Sequence, residues 1–387
     1  MCKRLPGLSR AQIYAVLSQR LALDTNTPQY LFQHSSNPLG AMQSMHEQIA
    51  NHMRVCVAIE DGIESLRGIA PSEPVLSEAA SRIMLTREFS LPGALSEILG
   101  GYCIDQGERG ELIVASFFTW ARDQVVKNKP LSVEQLCPYF SAKELFEQLF
   151  NNTQILDDGP SLCHPKDSPK PFKEVFGDAM MHFNHVIKPQ NRKTLRRSYL
   201  LPFMARGAAA LGANCQPGFD AVYPYLYGST DLDIKKLGFI IVQVKNDSTR
   251  YAGGSLDDLF LKMDPFKCNL IDKGDKEDGR FPIPIIRIVF LLSGNDTYVK
   301  QHTYHDHGKY RNLSFTSYDY VCAGVDSSNL RPVEDSSWKA LVNERDPWEN
   351  FYPTKPAASA VLRSQLPANA SHEGHYESWY PVSRLHC

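Results

Sequence analysis

The chain has no C-x-x-C pair among its 9 cysteines, which stand at positions 2, 56, 103, 137, 163, 215, 268, 322 and 387. An odd, scattered set of this kind argues against a zinc ribbon or a disulfide framework and fits a reducing compartment. No apolar run reaches the roughly 18 residues that a membrane span needs, so no membrane partner is expected. Met1-Cys2-Lys3-Arg4-Leu5-Pro6 lacks the apolar stretch of a signal peptide, and cytoplasm or nucleus is the expected location. Net charge is scarce: -2 over 387 residues gives no global pull toward a polyanion, so any such pull must be local. No internal repeat, no G-x-x-x-x-G-K-[ST] phosphate loop and no G-x-S-x-G elbow occur, which removes the simplest NTPase and serine-hydrolase readings.

What is present is ordinary globular material. Hydrophobic residues make up 43% and charged residues 22%, enough apolar content for a sizeable core in one large domain or two ordinary ones. Residues 8 to 70 read as helical. Ile13, Val16, Leu17, Leu21 and Leu23 recur near helical spacing after Ser9, an N-cap residue type. A second apolar set follows at Ile49, Met53, Val57 and Ile59, and a third helix is predicted from Ser77 to Met84. From Glu108 to Ala121 the pattern is apolar nearly all round, the mark of a buried helix, with Pro130 ending it. Shorter helices are predicted over 132–136, 142–150 and 172–186, with a loop between 151 and 171.

Strands dominate from 203 to 245. A helix is predicted from Ser255 to Leu261, a buried strand from Ile283 to Leu292 and another from Leu313 to Val325. After Asp326 the chain is rich in Pro, Ser and Asn, with scattered Trp338, Trp348 and Trp379, and reads as a poorly packed tail. The strand Phe239 to Val244 is apolar on both faces, so helices should cover it on each side. The expected class is α/β with mixed α+β character. The divisions are a helical region 1–106, a core domain 107–325 carrying a helical insertion 131–200, and an irregular tail 326–387.

Chemistry concentrates in two stretches. One is Gln216-Pro217-Gly218-Phe219-Asp220, where a turn releases an acid into an apolar strand; the other is Ile241-Val242-Gln243-Val244-Lys245. Alternation puts Gln243 and Lys245 on one strand face, about 6.6 Å apart from two rises. If the two strands pair, Asp220, Gln243 and Lys245 converge at one edge of a greasy sheet. Such a set suits phosphodiester hydrolysis with Mg2+ or Mn2+. Asp220 anchors the cation, the Gln243 side-chain carbonyl or the Val244 backbone carbonyl adds oxygen, and Lys245 holds the attacking water and steadies negative charge.

This acid followed by x-K resembles the PD-(D/E)XK, or restriction endonuclease-like, nuclease superfamily. The resemblance implies a core of a central mixed sheet flanked by helices. It also implies a helix before the Asp strand with a Glu near its start. Arg109-Gly110-Glu111 looks like that element, which implies Glu111 as a further metal ligand. More narrowly, Arg109 to Leu112, Gln216 to Asp220 and Ile241 to Asn246 look like nuclease-like domains of fungal Crinkler-type and transposon-associated proteins. In those an NTPase module lies upstream, and that module is absent here. Two features depart from the pattern. Gln243 stands where the superfamily has Glu or Asp, and the interval from 111 to 220 is long enough to need an insertion.

Each residue also has a plainer reading. Asp220 can serve a turn, Gln243 and Lys245 can be the solvated end of a core strand, and Glu111 can favour a helix dipole. Tyr223, Tyr225 and Tyr227 read as packing residues. Lys188, Arg192, Lys193, Arg196 and Arg197 put five cations in ten residues and are the best candidates for phosphate contacts. His302, His305 and His307 fit no zinc spacing, and His182 with His185 reads as core or surface. The first expectation is thus a Mg2+-dependent nuclease acting on nucleic acid, DNA in the first instance. The alternative is a catalytically degenerate nuclease-fold module that binds nucleic acid or protein. A purely structural interaction protein is the third.

Overall fold

The structure, a computed structural model, describes residues 8–23, 55–59, 66–69, 73–86, 89–99, 106–127, 129, 138–189, 192–213, 216–246, 253–294, 296–305, 314–334 and 336–343. In chain order the elements are α1 (Arg10–Ser18), β1 (Val55–Ile59), β2 (Leu66–Ile69), α2 (Glu73–Met84), α3 (Leu91–Leu99), α4 (Gln106–Val126), β3 (Phe140–Ser141), α5 (Ala142–Leu149), α6 (Phe172–Val175), β4 (Ala179–Met181), β5 (His185–Ile187), α7 (Arg197–Ala205), β6 (Ala208–Leu211), β7 (Ala221–Tyr227), β8 (Leu237–Lys245), α8 (Gly253–Lys262), β9 (Ile285–Leu291), β10 (Tyr298–Gln301), β11 (Ser317–Ala323) and α9 (Ser337–Asn343). No described helix is long and apolar enough to cross a membrane.

The centre is a mixed sheet in the order β10, β11, β9, β8, β7. β8, β9 and β11 run parallel, and β7 runs antiparallel to β8. The far edge of β7 is shared: β6 pairs with its first residues and β4 with its last, so the sheet forks there. β3 lies beyond β4, and β5 lies beyond β6.

Helices cover both faces, as the doubly apolar β8 required. Tyr223 pairs with Ile240 and stacks on Phe118 of α4 at 4.2 Å. The α4 layer therefore lies on the face of Ile240, Val242 and Val244. The opposite face carries Phe239, Ile241, Gln243 and Lys245. There Phe239 stacks on Phe281, which receives the Arg197 guanidinium of α7 at 4.8 Å. Arg287, the register partner of Ile241, donates to the Phe260 carbonyl of α8. Both α7 and α8 thus belong to the Gln243 face.

Several sequence readings hold locally for physical reasons visible here. Ser9 caps α1 in a reciprocal box with Gln12, and Ser141 does the same for α5 with Glu144. Leu112 to Ala115, Phe117, Phe118 and Ala121 are all buried along α4. Tyr223 and Tyr225 are core residues.

Other readings are corrected. Val57 and Ile59 lie in β1, which pairs antiparallel with β2 and shifts register between Cys56 and Ala58; the four-residue spacing of Ile49, Met53 and Val57 mimicked a helix. Ile49 and Met53 lie outside the described residues, as does 132–136. The stretch 172–186 is one helical turn followed by β4 and β5, because the turn around Gly177 breaks it and both strands find partners. The insertion 131–200 is consequently not a helical appendage: it supplies β3, β4 and β5 to the sheet. In the tail, α9 buries Trp338 against Phe117 at 4.8 Å; Trp348 and Trp379 lie outside the described residues.

Candidate active site

The acid of the site is fixed before its strand begins. Asp220 donates its backbone N–H to Val242 O at 2.8 Å, and its carbonyl accepts from Gly212 N at 2.7 Å. Its main chain is therefore held by neighbours on both sides. The turn that delivers it needs Gly218, whose φ is +87°. A Cβ built there would stand 2.4 Å from the Lys262 carbonyl oxygen at the end of α8 and 2.5 Å from Cys268 Sγ. Gly218→Ala combines an unfavourable φ with backbone overlap, so a loss of at least about 2 kcal/mol is expected. Thermal unfolding measures it, and a variant melting with the wild type would contradict this packing.

Asp220 stands one residue before the β7–β8 ladder, which begins at Ala221 and Val242, and meets Gln243 through its side chain. Gln243 Nε2 donates to Asp220 Oδ2 at 2.5 Å, and the Val244 backbone N–H donates to the same oxygen at 2.6 Å. Gln243 is buried, whereas Asp220 and Lys245 are half-buried. Lys245 follows Gln243 on the same face, and its carbonyl accepts from Leu292 N at 2.8 Å, which ties the end of β8 to the end of β9. Burial pushes the Asp220 carboxyl up to about 6; the Val244 N–H, the Lys245 charge and the Gln243 amide oppose that rise without cancelling it.

Glu111 arrives from the other side. Gly110, the residue before it, seats α4 against β8: a Cβ there would meet Asn246 Cβ at 2.9 Å, Val244 Cγ1 at 3.2 Å and Leu292 Cδ1 at 3.3 Å. Val244 and Asn246 face away from Gln243 and Lys245 by strand alternation. The start of α4 thus reaches the same end of β8 on the opposite face, and Glu111 itself is half-buried. Asp220, Gln243 and Lys245 are brought together on one face; Glu111 shares only the strand end with them.

The five cations between 188 and 197 divide. Lys188 pairs with Glu108 of α4 at 3.1 Å and leaves β5 at the site end of the sheet, since Ile187 pairs with Ala210 and Ala210 with Val222. Arg197 is buried and bonds Leu237 O and Asp275. It is a packing residue at the opposite end of β8, eight rises or about 26 Å from Lys245. Arg192, Lys193 and Arg196 are exposed.

Sequence reasoning missed the pair Ser293–Asn246, whose hydroxyl-to-amide bond of 2.7 Å joins the ends of β9 and β8 under Gly110. A polar residue directly after the x-K strand was the available signal. It also missed the buried set around Arg287, which bonds both oxygens of Asp319 as well as Tyr304 and Ser317. His302 is buried on Asp257 at 2.7 Å, and His305 is exposed beside it. His307 lies outside the described residues. Among the described residues no group of three or more His, Cys, Asp or Glu could hold a metal ion.

Residues 38–258 match the model of a family described as Domain of unknown function (DUF8736). The chain belongs to that family. The DUF8736 stretch contains Glu111, Asp220, Gln243 and Lys245 and reaches into α8, while β9, β10 and β11 lie beyond it. No curated protein and no solved structure matches the chain.

Proposed function

We propose that this chain is a metal-dependent nuclease with a restriction endonuclease-like core, hydrolysing phosphodiester bonds in DNA. The observation that carries the reading is the pairing of Asp220 with Gln243 across β7 and β8, with Lys245 next on the same face at the sheet end. A helix ahead of the Asp strand with Glu111 near its start, and a mixed sheet flanked by helices, support that reading.

The donor set fits a hard cation. Asp220 uses Oδ2 for two N–H donors, which leaves Oδ1 to a ligand. Gln243 spends an amide N–H on Asp220, and its carbonyl oxygen would be the second oxygen offered to the ion. Mg2+ or Mn2+ accepts oxygens of this kind and, when bound, supplies an acidified water and charge relief at the phosphoryl oxygens. Lys245 supplies what the neutral Gln243 does not: a positive charge that orients water and offsets negative charge developing on the phosphate. The Gln243 and Val244 N–H groups hold the Asp220 carboxylate in one orientation.

Plasmid nicking tests the reading. The wild type should nick with Mg2+ or Mn2+, and Asp220→Ala and Lys245→Ala should each lose that activity by about a hundredfold or more. Cleavage that persists in both variants places the chemistry elsewhere.

A second reading, a degenerate domain that binds nucleic acid or protein without cutting it, is favoured by one observation: the Gln243 amide satisfies Asp220 without a cation. Gln243→Glu separates the two. A weakened enzyme gains activity from the added carboxylate, whereas a binding module gains none.

A further inference from the structure

We propose that the tip of the β7–β8 hairpin and the adjoining α7 form a second docking surface that grips duplex nucleic acid about six base pairs from the site of cleavage. The identity of this ligand rests on the nuclease reading above; the surface itself rests on separate observations.

Large apolar side chains exposed to water are few among the described residues, and three of them gather here. Leu232 is 50% exposed and Ile234 38% exposed on the hairpin tip, and Tyr199 is 48% exposed on α7. The turn Ile234–Lys236 packs against α7, which makes these one patch. Cations lie next to it along the chain. Lys235 is exposed and Lys236 half-buried in that turn, and Arg192, Lys193 and Arg196 are exposed just ahead of α7. The nearby acids are partly committed to structure: Asp233 accepts the Lys235 backbone N–H, and Asp275 pairs with Arg197. Asp231 remains exposed.

Position selects the ligand. Arg197 of α7 lies over Phe281, which stacks on Phe239, so the patch lies on the sheet face that carries Gln243 and Lys245. Leu237 follows the tip directly, and six strand rises, about 20 Å, separate it from Gln243. In a duplex that distance is about six base pairs at 3.4 Å each. Apolar side chains flanked by lysines suit a minor groove, where such residues wedge between base steps while cations meet the phosphates. Tyr199 offers a flat face beside them.

The test uses the full chain in EDTA, so that binding is read without cleavage. A fluorescent duplex of about 20 base pairs is titrated by anisotropy over a range of salt. Lys235→Ala combined with Lys236→Ala should weaken binding about tenfold at low salt and reduce the log–log salt slope by about 1 to 2. Leu232→Ser should weaken binding with the slope unchanged. Wild-type affinity and slope in the lysine variant overturn the proposal. So does a variant that keeps the duplex but loses binding to phosphatidylserine vesicles, which would assign the patch to an anionic membrane. Failure of the nuclease reading appears separately, as absence of metal-dependent nicking by the wild type.

Discussion

Asp220→Asn is expected to make the metal-free protein more stable than the wild type above pH 6 while removing nicking activity. The Asp220 carboxyl titrates at about 6 in the folded chain against an ordinary value of 3.8, and burial is the main cause. A carboxyl raised in this way supports the fold while protonated. That support is complete below pH 4 and fades as pH rises through about 6. At neutral pH the charged, half-buried group costs the wild type about 2 kcal/mol, allowing for partial exposure. Asparagine carries no charge, and its side-chain oxygen still accepts from Val244 N. The stability gap between variant and wild type should therefore open between pH 4 and pH 6 and stay open above. Saturating Mn2+ should narrow it, because a ligand of the folded state stabilises only the protein that binds it. Chemical denaturation at pH 4, 6 and 8 reads this directly. A variant less stable than the wild type at pH 8 would mean that Asp220 serves the fold as a turn or cap residue.

Asp319→Ala is expected to produce the largest loss of stability, about 3–5 kcal/mol. Arg287 is 1% exposed and Asp319 0%, and they meet through two bonds of 2.7 and 2.8 Å. Burial alone would lower the Arg287 pKa, but the Asp319 charge and hydrogen bonds outweigh it and raise it. Without Asp319 the guanidinium stays buried and unpaired, and Tyr304 loses the oxygen to which it donates at 2.6 Å. The consequence reaches the site. Arg287 also bonds the Phe260 carbonyl of α8 at 2.7 Å, and the end of that helix braces Gly218 in the turn before Asp220. Replacing both members, as Arg287→Met with Asp319→Leu, should recover much of the stability because no orphaned charge remains. An Asp319→Ala variant that melts within a degree or two of the wild type would show that the pair is replaceable by water.

What the sequence disclosed was local. The buried helix α4, the capped α1 and the central strand β8 were legible because each writes its own periodicity over many residues. The meeting of Asp220 with Gln243 was legible because a turn ahead of one strand and the polar end of the other leave few registers that keep both apolar faces buried. The failures were long-range. β4 and β5 are only three residues each and are strands because β7 and β6 pair with them, which no pattern within 172–186 records. Val57 follows Ile49 and Met53 at helical spacing, yet it lies in a strand that β2 pairs with. Arg197 looked like one of a run of solvated cations, and only the folded chain shows Phe281, Leu237 O and Asp275 around it. Glu111 was placed by a resemblance, and its approach from the face opposite Gln243 depends on Gly110 meeting Asn246, a contact between residues far apart in the chain.

The most direct test of the central claim, that Asp220 anchors a divalent cation at the end of β7 and β8, is a calorimetric titration of Mn2+ into wild type and Asp220→Ala near neutral pH. The account predicts a binding isotherm for the wild type that strengthens as pH rises through about 6 and disappears in the variant. Equal binding by the two proteins, or no heat from the wild type, would contradict it.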